Sequence, residues 1–390
     1  YEQHPTKPLA ALTLPRGPRM STSTLRGRPG FYRSYAQDLA LFNTRPKLVG
    51  VAAIIAAALA LPFILDDALL EVLATAFVLA IGALGLNIVT GMAGQVSLGH
   101  AFFMGVGAYT AAAISGDPAE PEIGFGITFL PVWLIAGGVA AAVTGAIIAP
   151  LATRLRGLYL AIVTLGLVFL GEHIFSEWSH LTGGVGVGRA AAEPVIFGYA
   201  FDQDSDFLTA EQNLYLLMLV LLLIFALFAR NLARSRVGRA FAAVRDRDVA
   251  AEMMGINLGR TKLLAFTISS FYAGCAGGLL YTIIGFFDPA SFNLLLSVQF
   301  IAMVLIGGAG TVSGTIMGAL FISLLPTLSR EVPNYVPWIS QQVTVTPNVF
   351  QLESILYGLL IVVFLLFEPR GLFGIWVRIR NYWKSWPFSY

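Results

Sequence analysis

Apolar runs long enough to cross a lipid bilayer recur along the whole of this chain, and no other feature constrains its fold as strongly. Spanning the hydrocarbon core takes about 20 predominantly apolar helical residues. With no water in that core, only helices and closed barrels satisfy their own backbone there. Such runs, punctuated by charged and turn residues, lie at Leu48–Leu65 and roughly at 68–89, 95–115, 127–152, 157–176, 213–229, 263–287, 294–309, 314–328 and 351–367. The first has a basic front, Arg45-Pro46-Lys47, like a signal peptide, but its apolar stretch exceeds a typical h-region, so it reads as an uncleaved span. The expectation is an all-α polytopic membrane protein of about ten transmembrane helices. Composition agrees, with 57% hydrophobic and 12% charged residues, where soluble domains run at about 45–50% and about 25%. The single cysteine, Cys275, rules out an internal disulfide and thiolate metal cages. A net charge of +2 is too balanced for a nucleic-acid binder.

Each added or lost span swaps the sides of everything after it, so the distribution of basic residues tests the count. With the N-terminus in the cytoplasm, 22 of the 24 Lys and Arg residues fall inside, in 1–47, 153–156, 230–262 and 368–390. Only Arg189 and Arg330 fall outside, where the loops carry Asp117, Glu120, Glu122, Asp202, Asp204, Asp206 and Glu211. An even number of spans with both termini cytoplasmic follows. Charge does not decide whether 95–115 crosses fully or is a broken helix.

The chain therefore divides into a cytoplasmic N-terminal tail at 1–47, a membrane domain at 48–367 with a cytoplasmic loop at 230–262, and a cytoplasmic C-terminal tail at 368–390. The first tail is rich in Pro, Arg, Ser and Thr, and Met20 is a candidate start of translation. Its Phe31–Phe42 stretch reads either as a short helix on the membrane surface or as solvated tail. The large outer loop 178–212 holds Gly183-Gly184-Val185-Gly186-Val187-Gly188. This run lacks the preceding strand and following helix of a nucleotide fingerprint, so a flexible extracytoplasmic segment is expected.

Apolar burial cannot drive helix association in lipid, and small residues that allow close backbone approach take its place. Three triplets at four-residue spacing fit that role: Gly137, Ala141 and Gly145; Ser270, Gly274 and Gly278; Gly310, Gly314 and Gly318. A seven-residue pattern also recurs. Gly91-Met92-Ala93-Gly94-Gln95-Val96-Ser97 returns as Gly307-Gly308-Ala309-Gly310-Thr311-Val312-Ser313, each at the cytoplasmic end of a span. Transporters often build central sites from internally related, Gly-interrupted helices, so backbone near 91–100 and 307–314 is expected to line a pathway.

The loop at 230–262 carries eight basic residues and an ordered pattern besides. Ser235 suits an N-cap, Gly255 a helix stop and Asn257 the cap of the next helix. One or two short helices along the membrane surface are expected. The loop resembles the coupling loop of ABC-importer permeases, in which Ala-Ala followed by Gly seats in a cleft of the ATP-binding subunit. Asp248, Ala250, Ala251 and Gly255 match that pattern, with Arg239 and Glu252 beside them.

More specifically, the chain is similar to the LivM-type permeases of branched-chain amino acid importers. The likeness rests on Gly85-Leu86-Asn87 leading into Gly91–Ser97, on Leu98-Gly99-His100-Ala101-Phe102-Phe103 with Gly107-Ala108-Tyr109-Thr110, and on Arg156-Gly157-Leu158-Tyr159 through Leu165. It continues in Leu181-Thr182-Gly183-Gly184, Gly238-Arg239-Ala240-Phe241 and Glu368-Pro369-Arg370-Gly371-Leu372. The resemblance implies a multi-pass subunit of the cytoplasmic (inner) membrane that imports leucine, isoleucine and valine. The related permeases for urea and short amides share the same motifs. It also implies partners: a second, LivH-like permease, two cytoplasmic ATP-binding subunits that hold ATP and Mg, and an extracytoplasmic substrate-binding protein. No cofactor is expected in this chain. None of Lys7, Lys47, Lys262 or Lys384 sits in a phosphate-binding Gly-Lys-Ser/Thr, so hydrolysis belongs to another chain and this one is not an enzyme.

Gln95, Ser97, His100, Thr164 and Gln299 are polar residues at membrane depth and are the candidates for lining the pathway; each also fits an interhelical hydrogen bond. Glu172, His173, Glu177 and His180 cluster at an outer boundary beside Trp178, where solvated polar residues are expected, and they lack the order of a zinc motif. A membrane-embedded enzyme would want clustered His, Asp or Glu on facing helices. A self-contained, ion-driven transporter would want ionisable residues inside the spans. The span interiors are nearly free of both.

Overall fold

The computed structural model describes residues 45–385 apart from 120, 156, 206, 336–348 and 369. The expected Phe31–Phe42 helix, Met20, most of the tail at 1–47 and most of the loop at 329–350 lie outside the described residues.

The described chain is a bundle of helices with two very small sheets. In order the helices are α1 (Arg45–Ala60), α2 (Asp67–Leu86), α3 (His100–Ser115), α4 (Leu130–Arg154), α5 (Leu158–Glu177), α6 (Ala210–Arg234), α7 (Arg236–Asp246), α8 (Asp248–Met253), α9 (Leu258–Ile284), α10 (Leu294–Gly307), α11 (Val312–Tyr335), α12 (Val349–Phe367) and α13 (Gly371–Ser385). Seven described helices are long and apolar enough to cross a membrane: 67–92, 130–151, 159–177, 210–234, 258–284, 289–307 and 312–329. Together with the apolar composition they make the chain a multi-pass membrane protein. Three further expected spans correspond to α1, α3 and α12; α1 and α3 have 16 residues each, about 24 Å of helix.

A strongly apolar element, α2, lies innermost. In α2 the apolar residues run all round, the mark of a buried helix, and 83% of its span is buried within this one chain. It packs against α6, α9 and α11. Among the seven long spans α9 comes next, 72% buried, and it carries the small residues at which α3 and α4 approach. A Cβ on Gly274 would lie 2.5 Å from the Ala141 Cβ and 2.6 Å from the Gly137 carbonyl oxygen. Two of the sequence triplets thus face each other. The third behaves differently: Gly314 and Gly318 pack against Gly307 on α10, but Gly310 lies in the turn before α11, with φ +83°.

At the bundle end holding the α3 C-terminus, Tyr109 sits 5.0 Å from Phe175, 4.9 Å from Phe287 and 5.6 Å from Phe292, centroid to centroid. Here the expectation of a flexible Gly run is corrected. Gly183–Gly188 folds into tight turns that lead into β1 (Arg189–Ala190), paired antiparallel with the later strand Phe286–Phe287. Arg189 is buried, and its guanidinium donates to the carbonyls of Ala112, Leu181 and Ile123, joining three segments. A buried guanidinium with its donors satisfied by backbone is a rigid clamp. The second sheet is the hairpin β2 (Val195–Ile196) and β3 (Tyr199–Ala200).

Candidate functional site

The opposite end of the bundle gathers the loop at 230–262 and both copies of the repeated glycine pattern. Ser235 Oγ accepts from Gly238 N at 3.2 Å and starts α7. Asn257 Oδ1 accepts from Arg260 N at 2.9 Å and starts α9. Between them Gly255 takes φ +83°, a left-handed conformation that ends a helix without a Cβ clash. The expected caps are all present, and the loop forms two short helices, α7 and α8, joined through Arg247.

On α8 the side chains divide sharply. Val249, Ala250, Glu252, Met253 and Met254 are exposed, Met253 at 86%, whereas Ala251 is fully buried against the protein's own body. The expectation that both alanines offer a low surface to a partner is therefore corrected for Ala251: one side of so short a helix must face the bundle, and Ala251 lies on it. Asp248 is half-buried at the start of α8, and its carboxylate accepts from Val249 N. Arg239 is exposed and donates to the Arg234 carbonyl at 3.0 Å.

Both repeated segments interrupt helices. The π-turn Asn87–Met92 ends α2, and backbone without helical structure follows until His100. A single π-turn inside or ending a helix frequently marks a functional site. The second copy ends α10 at Gly307 and turns through 308–311 into α11. Gly94 and Gly310, which correspond in the repeat, both have left-handed backbones, with φ +69° and +83°.

The two copies also touch. Asn87 Oδ1 accepts from Gly310 N at 2.7 Å, and Asn87 Nδ2 donates to the Thr311 carbonyl at 3.3 Å. Arg245, at the end of α7, reaches into the same junction, where its Nη1 donates to the Gly91 carbonyl at 3.0 Å. A cleft of about 240 Å³ opens beside it, lined among others by Gln95, Leu155, Gly157, Arg245, Arg247 and Lys262.

The five candidate pathway residues fall into different settings. Gln95 is buried at the cleft, and neither end of its amide has a hydrogen-bond partner among the described residues. Such a group calls for an explanation. Ser97 and Thr164 hold the interruption in shape: Thr164 Oγ1 accepts from Leu98 N at 2.9 Å, and Ser97 Oγ accepts from Gly99 N at 3.4 Å. The His100 ring hydrogen-bonds the Gly82 backbone and lies 4.8 Å from the Phe300 ring, while its Nε2 has no partner. Gln299 is half-buried on α10 and does not line the cleft. Glu172, His173, Glu177 and His180 sit on or just past α5, with His173, Glu177 and His180 exposed. No group of three or more His, Cys, Asp or Glu converges among the described residues.

Two residues gain importance only in three dimensions. Asn87 is fully buried and joins the two glycine segments; an Asn within a long apolar run is the signal that could have singled it out. Arg245, one basic residue among eight in its loop, carries no such signal.

Residues 68–365 match the family described as branched-chain amino acid transport system, permease component. The chain is 30% identical to the high-affinity branched-chain amino acid transport system permease protein LivM of Escherichia coli (strain K12), over 83% of this chain and 74% of that one. It is 24% identical to the permease protein LivH of the same strain, over 64% of this chain and 81% of that one. Similarity extends to the autoinducer 2 import system permease protein LsrC of Enterobacter sp. (strain 638), 30% identical over 50% of this chain and 53% of that one. No solved structure matches the chain.

Proposed function

The chain belongs to the branched-chain amino acid transport permease family, and from that premise we propose the machine it works in. It is the membrane-spanning permease subunit of an ATP-driven, binding-protein-dependent importer of branched-chain amino acids. The observation that carries the substrate class is the likeness, over 83% of the chain, to a permease named for high-affinity transport of those amino acids. That likeness favours them over urea or short amides.

Its partners in this reading are a LivH-like permease, two cytoplasmic ATP-binding subunits, which hold ATP and Mg, and an extracytoplasmic substrate-binding protein. The chain turns over no ATP itself. It crosses the inner membrane ten times with both termini in the cytoplasm, α1, α3 and α12 completing the count. The tail at 1–47, the permease domain at 48–367 with its coupling loop at 230–262, and the tail at 368–390 are its working parts. The surface offered to an ATPase is the exposed side of α8, Val249, Ala250, Glu252 and Met253, with Asp248 starting the helix, Gly255 ending it and Arg239 at the rim. The substrate passes the polar group Gln95, Ser97, His100, Thr164 and Gln299. What supports this is an unpartnered buried amide at a break in the helices, since unwound backbone at membrane depth persists only where it is buried or lines a cavity.

The test is reconstitution with these four partner subunits in proteoliposomes, followed by ATP hydrolysis and uptake with leucine or urea. Stimulation and uptake with leucine are expected. Stimulation by urea alone would remove the branched-chain assignment, and ion-driven uptake without ATP would remove the importer reading.

A further inference from the structure

Arg245, in the loop bearing α8, lies against both copies of the glycine repeat. Its Nη1 bonds the Gly91 carbonyl at 3.0 Å. A Cβ on Gly94 would lie 3.1 Å from the Arg245 Cα, and one on Gly310 would lie 2.9 Å from Nη1. The two turns therefore approach this residue from either side, and their left-handed backbones favour glycine at both Gly94 and Gly310. Asn87, one turn before the first copy, then ties the end of α2 to the second copy through both ends of its amide. The guanidinium is held in aim by Asp246 Oδ1, 3.3 Å from both Nε and Nη2. Arg245 is 42% exposed and Asp246 69%, so this ion pair adds little stability; its effect is orientation.

The link to α8 is short. Asp246 ends α7, Arg247 is extended with φ −157° and ψ 105°, and α8 begins at Asp248. A displacement of α8 reaches Arg245 through two residues. Beyond Arg245 lies the π-turn Asn87–Met92, a rare break in regular helix of the kind often found at functional sites.

We propose that Arg245 is a positioning residue which carries movement of α8 to the paired glycine turns at 91–94 and 308–311, so that events at the docking helix open or close the helix interruptions. The proposal rests on the reading of α8 as the ATPase contact and goes beyond it, since a side chain that merely braced the fold would affect stability without altering how hydrolysis is used.

The experiment uses the complete reconstituted complex carrying Arg245→Met, Arg245→Lys or Gly310→Ala, with Arg260→Met as a surface control. Three quantities are read: ATPase subunits retained on purification, ATP hydrolysed, and leucine taken up per ATP. Arg245→Met is expected to retain the ATPases and hydrolyse ATP while uptake per ATP falls by at least about tenfold, the scale of one charge-assisted hydrogen bond. Arg245→Lys keeps a donor for the Gly91 carbonyl and is expected to recover most of the ratio. Gly310→Ala, which crowds the intact Arg245, is expected to lower it as Arg245→Met does. A spin label at Ala309→Cys, exposed beside the second turn, supplies an arm that needs no transported substrate: ATP is expected to change its mobility with Arg245 present and not in Arg245→Met. An unchanged uptake per ATP in Arg245→Met, a loss of uptake that only follows lost ATPase subunits, or an identical label response in both proteins would overturn the proposal. Should Arg245→Met fail to assemble, normal coupling in Gly310→Ala would overturn it instead. Loss of the ATPases from a Met253→Asp complex tests the α8 reading separately, and absent leucine uptake in the unaltered complex would count against the substrate class alone.

Discussion

Ala250 and Ala251 are neighbours in sequence with opposite surroundings, one exposed and the other fully buried. Ala251→Trp forces a large ring into a filled site, and overpacking of this kind costs about 1–3 kcal/mol or more. It is expected to lower the thermal midpoint of the purified permease before any partner is added. Ala250→Trp leaves that midpoint within a degree or two and reduces co-purification of the ATPases; ATPase retention equal to wild type would show that α8 is not the contact. Sequence disclosed the local chemistry here and not the side it faced. Ser235, Gly255 and Asn257 act on backbone groups within three residues of themselves, so their roles were legible. Which alanine of a pair lies against the bundle depends on how α8 leans on α9, and no short-range rule carries that information.

Among the elements, the seam joining α3, α4 and α9 is the part whose sequence signal was strongest. Spacing of four put Gly137, Ala141 and Gly145 on one helix face and Ser270, Gly274 and Gly278 on another, and the structure sets those faces together. A Cβ on Gly274 meets backbone and Cβ atoms of α4 rather than flexible side-chain ends, so relief requires the helices to separate. Gly274→Val is therefore expected to destabilise the subunit by about 1–3 kcal/mol, measured as a lower melting temperature in detergent, whereas Gly166→Val, which meets nothing within 4 Å, should leave it unchanged. Equal melting of the two variants would remove the seam as a source of stability. Spacing alone misread Gly310, because a stripe of small residues gives no sign of where a helix stops. The related sequences around Gly94 and Gly310 supplied that sign: the same residue types recur because the same left-handed turn recurs.

For the molecule as a whole, the partition of charge predicts sidedness and the fold improves the way to test it. Arg189 lies on the expected outer side but is buried in a clamp of three carbonyls, so a cysteine there would report lost structure as well as location. Val187, at 67% exposure, and Phe207, at 94%, are better outer probes, and Met253, at 86%, is the inner one. Membrane-impermeant maleimide is expected to label Val187→Cys and Phe207→Cys in intact cells and Met253→Cys only after permeabilisation. Native Cys275 is buried and gives little background. Labelling of Met253→Cys from outside would invert the topology.

The enclosure of α2 also bears on how such a chain can be made. Synthesis runs from the N-terminus, so α2 enters the bilayer early and is at first surrounded by lipid, which its apolar circumference tolerates. The helices that later cover it, α6, α9 and α11, emerge over about the next 250 residues. Until then Asn87, which ends fully buried with its partners on the Gly310 turn, lacks those partners. An unfinished or truncated chain thus carries an amide whose native partners have not yet been made.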